Sequence, residues 1–172
     1  MAVIEAIATT YLEADAASVT FSGIPTTYEH LQIRMSGLLG DAGSIGAVYT
    51  RFNGDTTAGN YKGHMMRGFA TTAQADGSAG GTLWSFLAEG GGTNRASYSG
   101  LIMDILDYRN ANKNTTTNTL KGHNLGGSTH PNMIDFSSML WLNTDAITSI
   151  AFTTGTSFVR GSSFTLYGLN SS

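Results

Sequence analysis

The chain of 172 residues contains no cysteine and only two prolines. The first absence excludes a disulfide framework and any cysteine-based zinc site. Charged residues make up 12% of the chain, about half of the ~25% usual in soluble domains. The formal net charge is −3, so the basic footprint of an electrostatic nucleic-acid binder is missing. No apolar run approaches the ~18 residues of a membrane-spanning helix. The opening stretch MAVIEAIATTYLEADAAS has no basic start and carries Glu5, unlike a secretory signal. Catalytic signatures are missing as well. No serine sits in a G-x-S-x-G elbow, and no G-K-[S/T] follows Gly90-Gly91-Gly92 or Gly126-Gly127 to make a phosphate loop.

What fills the space left by charge is Gly, Thr, Ser and Asn, together 73 residues. With 8 Phe, 7 Tyr and 2 Trp the chain also has the aromatics of a folded core, which disordered chains lack. Threonine-rich strands joined by Gly, Asn and Ser turns fit this composition. The surface is then coated with hydroxyls and amides. Such a surface suits burial against neighbouring subunits, because interface cores are depleted in Lys, Glu and Asp.

The hydrophobic period is two nearly throughout. Leu31, Ile33 and Met35 alternate with polar residues over His30–Ser36. Leu101–Tyr108 is apolar on both faces, which predicts a central strand. Further strands are expected at Ala47–Phe52, Thr115–His123, Phe136–Leu142, Ile147–Thr153 and Ser163–Leu169. Weaker signals lie at Ala2–Leu12, Ala17–Ser22, Tyr61–Arg67 and Leu83–Ala88. Asn53-Gly54 tolerates the positive φ angles of a type I′ turn and predicts a hairpin. The glycine-rich stretches Thr71–Thr82 and Glu89–Thr93, with Arg109–Asn114 and Asn124–Asn132, read as loops. No fixed repeat or composition shift divides the chain. The expected fold is one all-β domain over residues 1–172, an antiparallel β-sandwich, with a jelly roll of eight strands in two sheets as the nearest template.

Chemistry-bearing residues are sparse. The histidines are His30, His64, His123 and His130, and no pair has metal-ligand spacing. A site made by His123 and His130 with Asp104 or Asp107 is weighed against surface or hydrogen-bonded histidines, and the latter are favoured. Asp104 and Asp107 fall on opposite faces of a regular strand, a poor arrangement for glycoside hydrolysis. Asp104 is expected to pair with Arg34, Arg51 or a backbone group. Asp41, Asp55 and Asp76 lie in turns without the dense Asp/Asn alternation of calcium loops. No metal, cofactor or catalytic residue is assigned. Tyr61, Trp84, Tyr98 and Tyr108 are candidates for a sugar-stacking platform, although Trp84 and Trp141 sit in patterns that fit a core better.

Several segments taken together are familiar: SVTFSGIPTTYEHLQIRMS (Ser18–Ser36), YTRFNGD (Tyr49–Asp55) with Asn60-Tyr61 and His64 behind it, and AITSIAFTTGTSFVRGSSFTLYGL (Ala146–Leu169). The pattern F-x-x-I-P-x-T-Y-x-x-L, an RFNGD turn and a closing GSSFTLYG resembles a group of tailed-bacteriophage virion proteins, many of them from cyanophages and other aquatic phages. The resemblance implies a non-enzymatic structural role in the virion. The foremost reading is a capsid decoration (cement) protein on the outer shell, bound to the major capsid protein and to itself as a homotrimer. The alternative is a tail- or fibre-associated module that binds host-surface glycan through Tyr61, Trp84, Tyr98 and Tyr108. The apolar start (Met1, Val3, Ile4, Ile7) is a candidate docking arm, residues 1–12 being either that arm or an edge strand. Assembly in the host cytoplasm follows from the same resemblance, with no nucleic acid or membrane partner.

Overall fold

The computed structural model describes residues 3–40, 46–78, 87–88, 97–124 and 132–171. They form strands β1 (Val3–Tyr11), β2 (Ala16–Ser22), β3 (His30–Gly37), β4 (Gly46–Phe52), β5 (Tyr61–Phe69), β6 (Thr72–Ser78), β7 (Leu87–Ala88), β8 (Ser99–Leu106), β9 (Thr115–His123), β10 (Met133–Trp141), β11 (Ser149–Phe158) and β12 (Ser163–Asn170), with one 3₁₀ turn at Ala58–Asn60. Eight strands make one sheet in the order β1-β12-β3-β8-β9-β10-β5-β6. The second sheet is β2-β11-β4, continued for two residues by β7. Every pairing is antiparallel. The architecture is a β-sandwich with unequal layers.

Alternation explains the core. Leu31, Ile33 and Met35 of β3, Leu101, Met103 and Ile105 of β8, and Phe164 and Leu166 of β12 point inward from the large sheet. They share one buried cluster with Val19 and Phe21 of β2, Val48 and Phe52 of β4, and Ile150 and Phe152 of β11. Phe152 and Phe164 bridge the layers with ring centroids 5.7 Å apart, and Phe158 meets Phe164 edge-on at 5.0 Å. At the other end Phe52 packs against Trp141 at 5.5 Å, and Tyr61 stacks on the same indole at 6.5 Å. Truncating one such ring costs about 3–5 kcal/mol, so these contacts hold the layers in register.

The Asn53-Gly54 turn forms but does not make a hairpin. Asn53 and Gly54 have φ of 51° and 69°, as the sequence predicts, and the Asp55 N–H closes the turn onto the Phe52 carbonyl at 2.9 Å. The strands it joins, β4 and β5, lie in different sheets. The turn is a crossover, because its side chains are engaged elsewhere. The Asn53 Oδ1 accepts the Thr148 and Ser149 N–H groups at 2.8 and 3.1 Å, and its Nδ2 donates to the Ala146 carbonyl at 2.9 Å. The Asp55 carboxylate accepts from Thr57 N–H, Asn60 Nδ2 and Trp141 Nε1, each at 2.8 Å.

Two other expectations change. The stretch predicted as a loop from Thr71 contains β6, an edge strand paired with β5 alone. Its sequence TAQADGS has no apolar alternation because neither face enters the core, so the period-two signal was absent. The strand predicted over Leu101–Tyr108 ends at Leu106, since Asp107 turns the chain with φ of 50°. It is central in its sheet, yet only its inner face is covered. Ile102 and Leu106 remain exposed.

Two substitutions test this packing. Asp55→Ala strands the Trp141 indole N–H and is expected to cost about 2–4 kcal/mol in chemical denaturation. Burial alone would push the Asp55 carboxyl up, but the hydrogen bonds from Asn60, Trp141 and Thr57 outweigh it and hold the group at about 2, against an ordinary 3.8. Its contribution to stability is therefore complete above pH 3.8 and is lost as the pH falls toward 2. The difference in stability between the natural chain and Asp55→Ala should shrink over that interval. Gly168→Ala would place a Cβ 2.3–2.4 Å from the Tyr28 ring, an overpacking expected to cost about 1–3 kcal/mol. Gly100→Ala, with open space around its Cβ position, should be tolerated in the same assay.

Candidate interaction surface

The outer face of the large sheet carries the least expected feature of the molecule. Strand register sets Ile102 of β8 opposite Leu120 of β9, Leu120 opposite Phe136 of β10, and Phe136 opposite Met66 of β5. The four side chains form one unbroken apolar row across four strands. All of them are exposed, at 41%, 49%, 49% and 64%. Ile134, 60% exposed, projects from β10 beside this row. Together these five present on the order of 500 Å² of surface, near the top of the ~300–600 Å² patch range of ordinary monomers.

The rows alongside are polar or nearly flat. Asp104, Asn118, Ser138 and His64 stand opposite one another on one side. On the other side Gly100, Gly122, Ile134 and Gly68 do the same. A Cβ added at Gly100 would meet nothing within 4 Å, and one at Gly122 only the Met133 carbonyl at 3.6 Å. The two glycines thus leave a shallow hollow beside the Ile134 side chain. Arg34 and Ala75 close the ends of the apolar row.

The N-terminal segment is an edge strand rather than a free arm. β1 pairs with β12 from Val3↔Asn170 to Tyr11↔Ser163, with a register shift between Ala6 and Ala8. Val3 and Ile4 are exposed, whereas Ile7 packs against the core. Met1 lies outside the described residues.

The inner face beyond the apolar core is polar and buried. Lys121 of β9, Asp135 of β10 and Arg67 of β5 stand in one cross-strand row. The Lys121 Nζ and Asp135 Oδ2 are 4.0 Å apart, with side chains 1% and 4% exposed. Burial pushes the Asp135 carboxyl up, against the opposing pull of Lys121, Arg67 and Ser137. Thr117, Thr119 and Ser137 add buried hydroxyls to the same face. Near the loop after β8, Glu29, His30, Asp107, Arg109 and Asn110–Asn112 line an open hollow of about 660 Å³. Its charges are already engaged. The Lys113 ammonium bonds to Asp107 and holds that carboxyl below its usual range against the opposing effect of burial. Glu29 accepts the Ser171 N–H at 2.9 Å, which lowers its carboxyl too.

The candidate site residues separate accordingly. Tyr61 and Tyr108, expected as exposed platform rings, are buried in the core, which corrects that expectation. The Tyr61 hydroxyl donates to the Asp55 carbonyl at 3.1 Å, and burial pushes it up to about 12. The Tyr108 hydroxyl donates to the Pro25 carbonyl. Tyr98 is half-buried and its hydroxyl donates to the Arg160 carbonyl at 2.7 Å. Trp84 and His130 lie outside the described residues, and so do Asp41, Gly90–Gly92 and Gly126-Gly127. Trp141 is core, as its pattern indicated.

His123 points inward while Asp104 sits on the outer face, so those two do not converge. Asp104 accepts from Gln32 Nε2 at 2.7 Å, and Arg34 reaches it only through Gln32, to whose Oε1 its Nε donates at 2.9 Å. His30 Nδ1 accepts the Asp107 N–H at 2.9 Å. Among the described residues no three His, Asp or Glu side chains gather to hold a metal ion. Sequence reading missed the apolar row. Its signal was present in Ile102 and Leu106, on the second apolar face of a strand taken to be covered on both sides.

Because the row contributes nothing to the core, Phe136→Thr and Met66→Thr should each leave unfolding free energy within about 0.5 kcal/mol of the natural chain in urea titrations at submicromolar protein, where any self-association is lost. A loss of several kcal/mol that does not depend on protein concentration would show that the row is packed against the protein's own chain. No family model, curated protein or solved structure matches this chain.

Proposed function

We propose that the chain is a non-enzymatic structural subunit of a larger assembly, and specifically a capsid decoration protein of a tailed bacteriophage. The observation that carries the assembly reading is the exposed row Ile102–Leu120–Phe136–Met66 with Ile134 beside it. Apolar side chains aligned across four strands of a sheet face are costly to leave in water and favour a partner surface. The low charge of the chain acts in the same direction, since little ionic hydration must be stripped from the surface on contact. The assignment to a phage capsid rests on the resemblance carried by the FSGIPTTYEHL, RFNGD and GSSFTLYG segments. In that role each copy bridges neighbouring capsid subunits. Repetition around a closed shell raises the effective concentration at successive contacts, so modest individual contacts hold the shell firmly. The glycan-binding alternative loses support from the burial of Tyr61 and Tyr108.

The deciding measurement is copy number in purified virions by quantitative mass spectrometry. Hundreds of copies in simple proportion to the major capsid protein are expected, together with lowered heat resistance of heads that lack the protein. A few to a few dozen copies would move the protein to the tail or fibres, and heads of unchanged heat resistance would refute a cementing role.

A further inference from the structure

We infer that the outer face of the large sheet is the contact surface for a second copy of this chain, packed sheet on sheet about a two-fold axis that runs parallel to the strands between β9 and β10. The inference rests on the reading of this face as a subunit contact and names its occupant. That axis lays β9 of one copy over β10 of the other and β8 over β5, and every row then meets its own complement. In the apolar row Ile102 faces Met66 of the second copy and Leu120 faces Phe136. In the polar row Asp104 faces His64, an acceptor against a donor, and Asn118 faces Ser138. In the third row Ile134, the most exposed large apolar side chain of β10, faces Gly122. There the hollow left by Gly100 and Gly122 is open to receive it. Each match occurs twice, as an isologous interface requires.

Charge and size agree with this arrangement. The face carries Asp104 and Arg34 toward one side and His64 and Lys62 toward the other, with Arg34 falling over Ala75 of the second copy and Lys62 beside Leu106 rather than over like charges. A flush alternative axis along the rows would stack Phe136 on Phe136, but would set Ile134 over the Asp104–His64 side of the face. The apolar patch of about 500 Å² with its flanking rows approaches the ~800 Å² per partner of a standard interface. Two sheets packed in this way keep their strand directions well within the about 30° of the aligned class. The pairing is two-fold, in place of the three-fold clustering that the resemblance implies.

The absence of cysteine gives a clean test. Sedimentation equilibrium of the full chain should show a dimer at tens of micromolar. Phe136→Glu should weaken it at least 100-fold while leaving the far-ultraviolet spectrum unchanged, and the melting temperature unchanged at concentrations too low for the natural chain to dimerise. Gly122→Val fills the hollow with a residue that favours strands, and should weaken the dimer at least tenfold without lowering the stability of the monomer. Oxidative cross-linking should join Ile102→Cys chains to Met66→Cys chains when the two are mixed, and join neither strongly to itself. A natural chain that stays monomeric at several hundred micromolar overturns the proposal, as does a dimer indifferent to Phe136→Glu. Self-linking of Ile102→Cys in preference to the mixed pair overturns the axis. A monomer that still binds capsids would refute the dimer and leave the structural role standing.

Discussion

The chain passes between the two sheets repeatedly, and two of these crossings, from β4 to β5 and from β10 to β11, are held together by the side chains of Asn53 and Asp55. The path from β4 to β5 passes through Asn53 and Asp55, and the path from β10 to β11 passes within reach of their side chains. Asn53 holds the approach to β11 at Ala146, Thr148 and Ser149, while Asp55 holds the end of β10 at Trp141 and the 3₁₀ turn at Asn60. Phe52, Tyr61 and Trp141 pack directly beneath this polar clasp. The clasp sets the angle between the layers, and the layers bury the rings that keep water from competing with it. Polar satisfaction and apolar burial therefore reinforce each other at one place in the fold.

With the small sheet fixed over β12, β3 and β8, the outer side of the large sheet faces away from the core. That is why Ile102, Leu120, Phe136 and Met66 stand in water although each belongs to a strand whose inner residues are buried. Their alignment is a result of register: a shift of one residue in β9 or β10 would move the whole set to the inner side. The inner side opposite is unusually polar, with Lys121, Asp135 and the threonines of β9 buried there. Threonine suits both environments, since its branched side chain packs on a pleated surface and its hydroxyl seeks a local partner. The face turned to solvent has a more apolar centre than part of the face turned inward, an inversion that fits the proposed role of the outer face as a contact surface.

Most of the strands were legible because they have one buried face and one wet face. β3 and β12 follow the alternation of their sequences almost residue for residue, and Phe164, Leu166 and Gly168 share the inner side as their spacing indicates. β6 was not legible, since an edge strand exposed on both faces has no alternation to read. The residues of the proposed contact face were each visible as apolar positions, but nothing local distinguished them from core. The tyrosines failed in the opposite sense: Tyr61 and Tyr108 lie near turns, where exposure is the natural expectation, and long-range packing carried them inside.

The sequence by itself determined the all-β class, most of the strand positions, the turn at Asn53-Gly54 and the scarcity of charge, because each depends on residues within a few positions of one another. Tertiary structure decided which sheet each strand joined, that the Asn53 turn crosses between layers, and which apolar face was left open. Those outcomes depend on contacts between residues tens of positions apart. A period of two states that a strand has two faces; only the placement of the other sheet states which of them is covered.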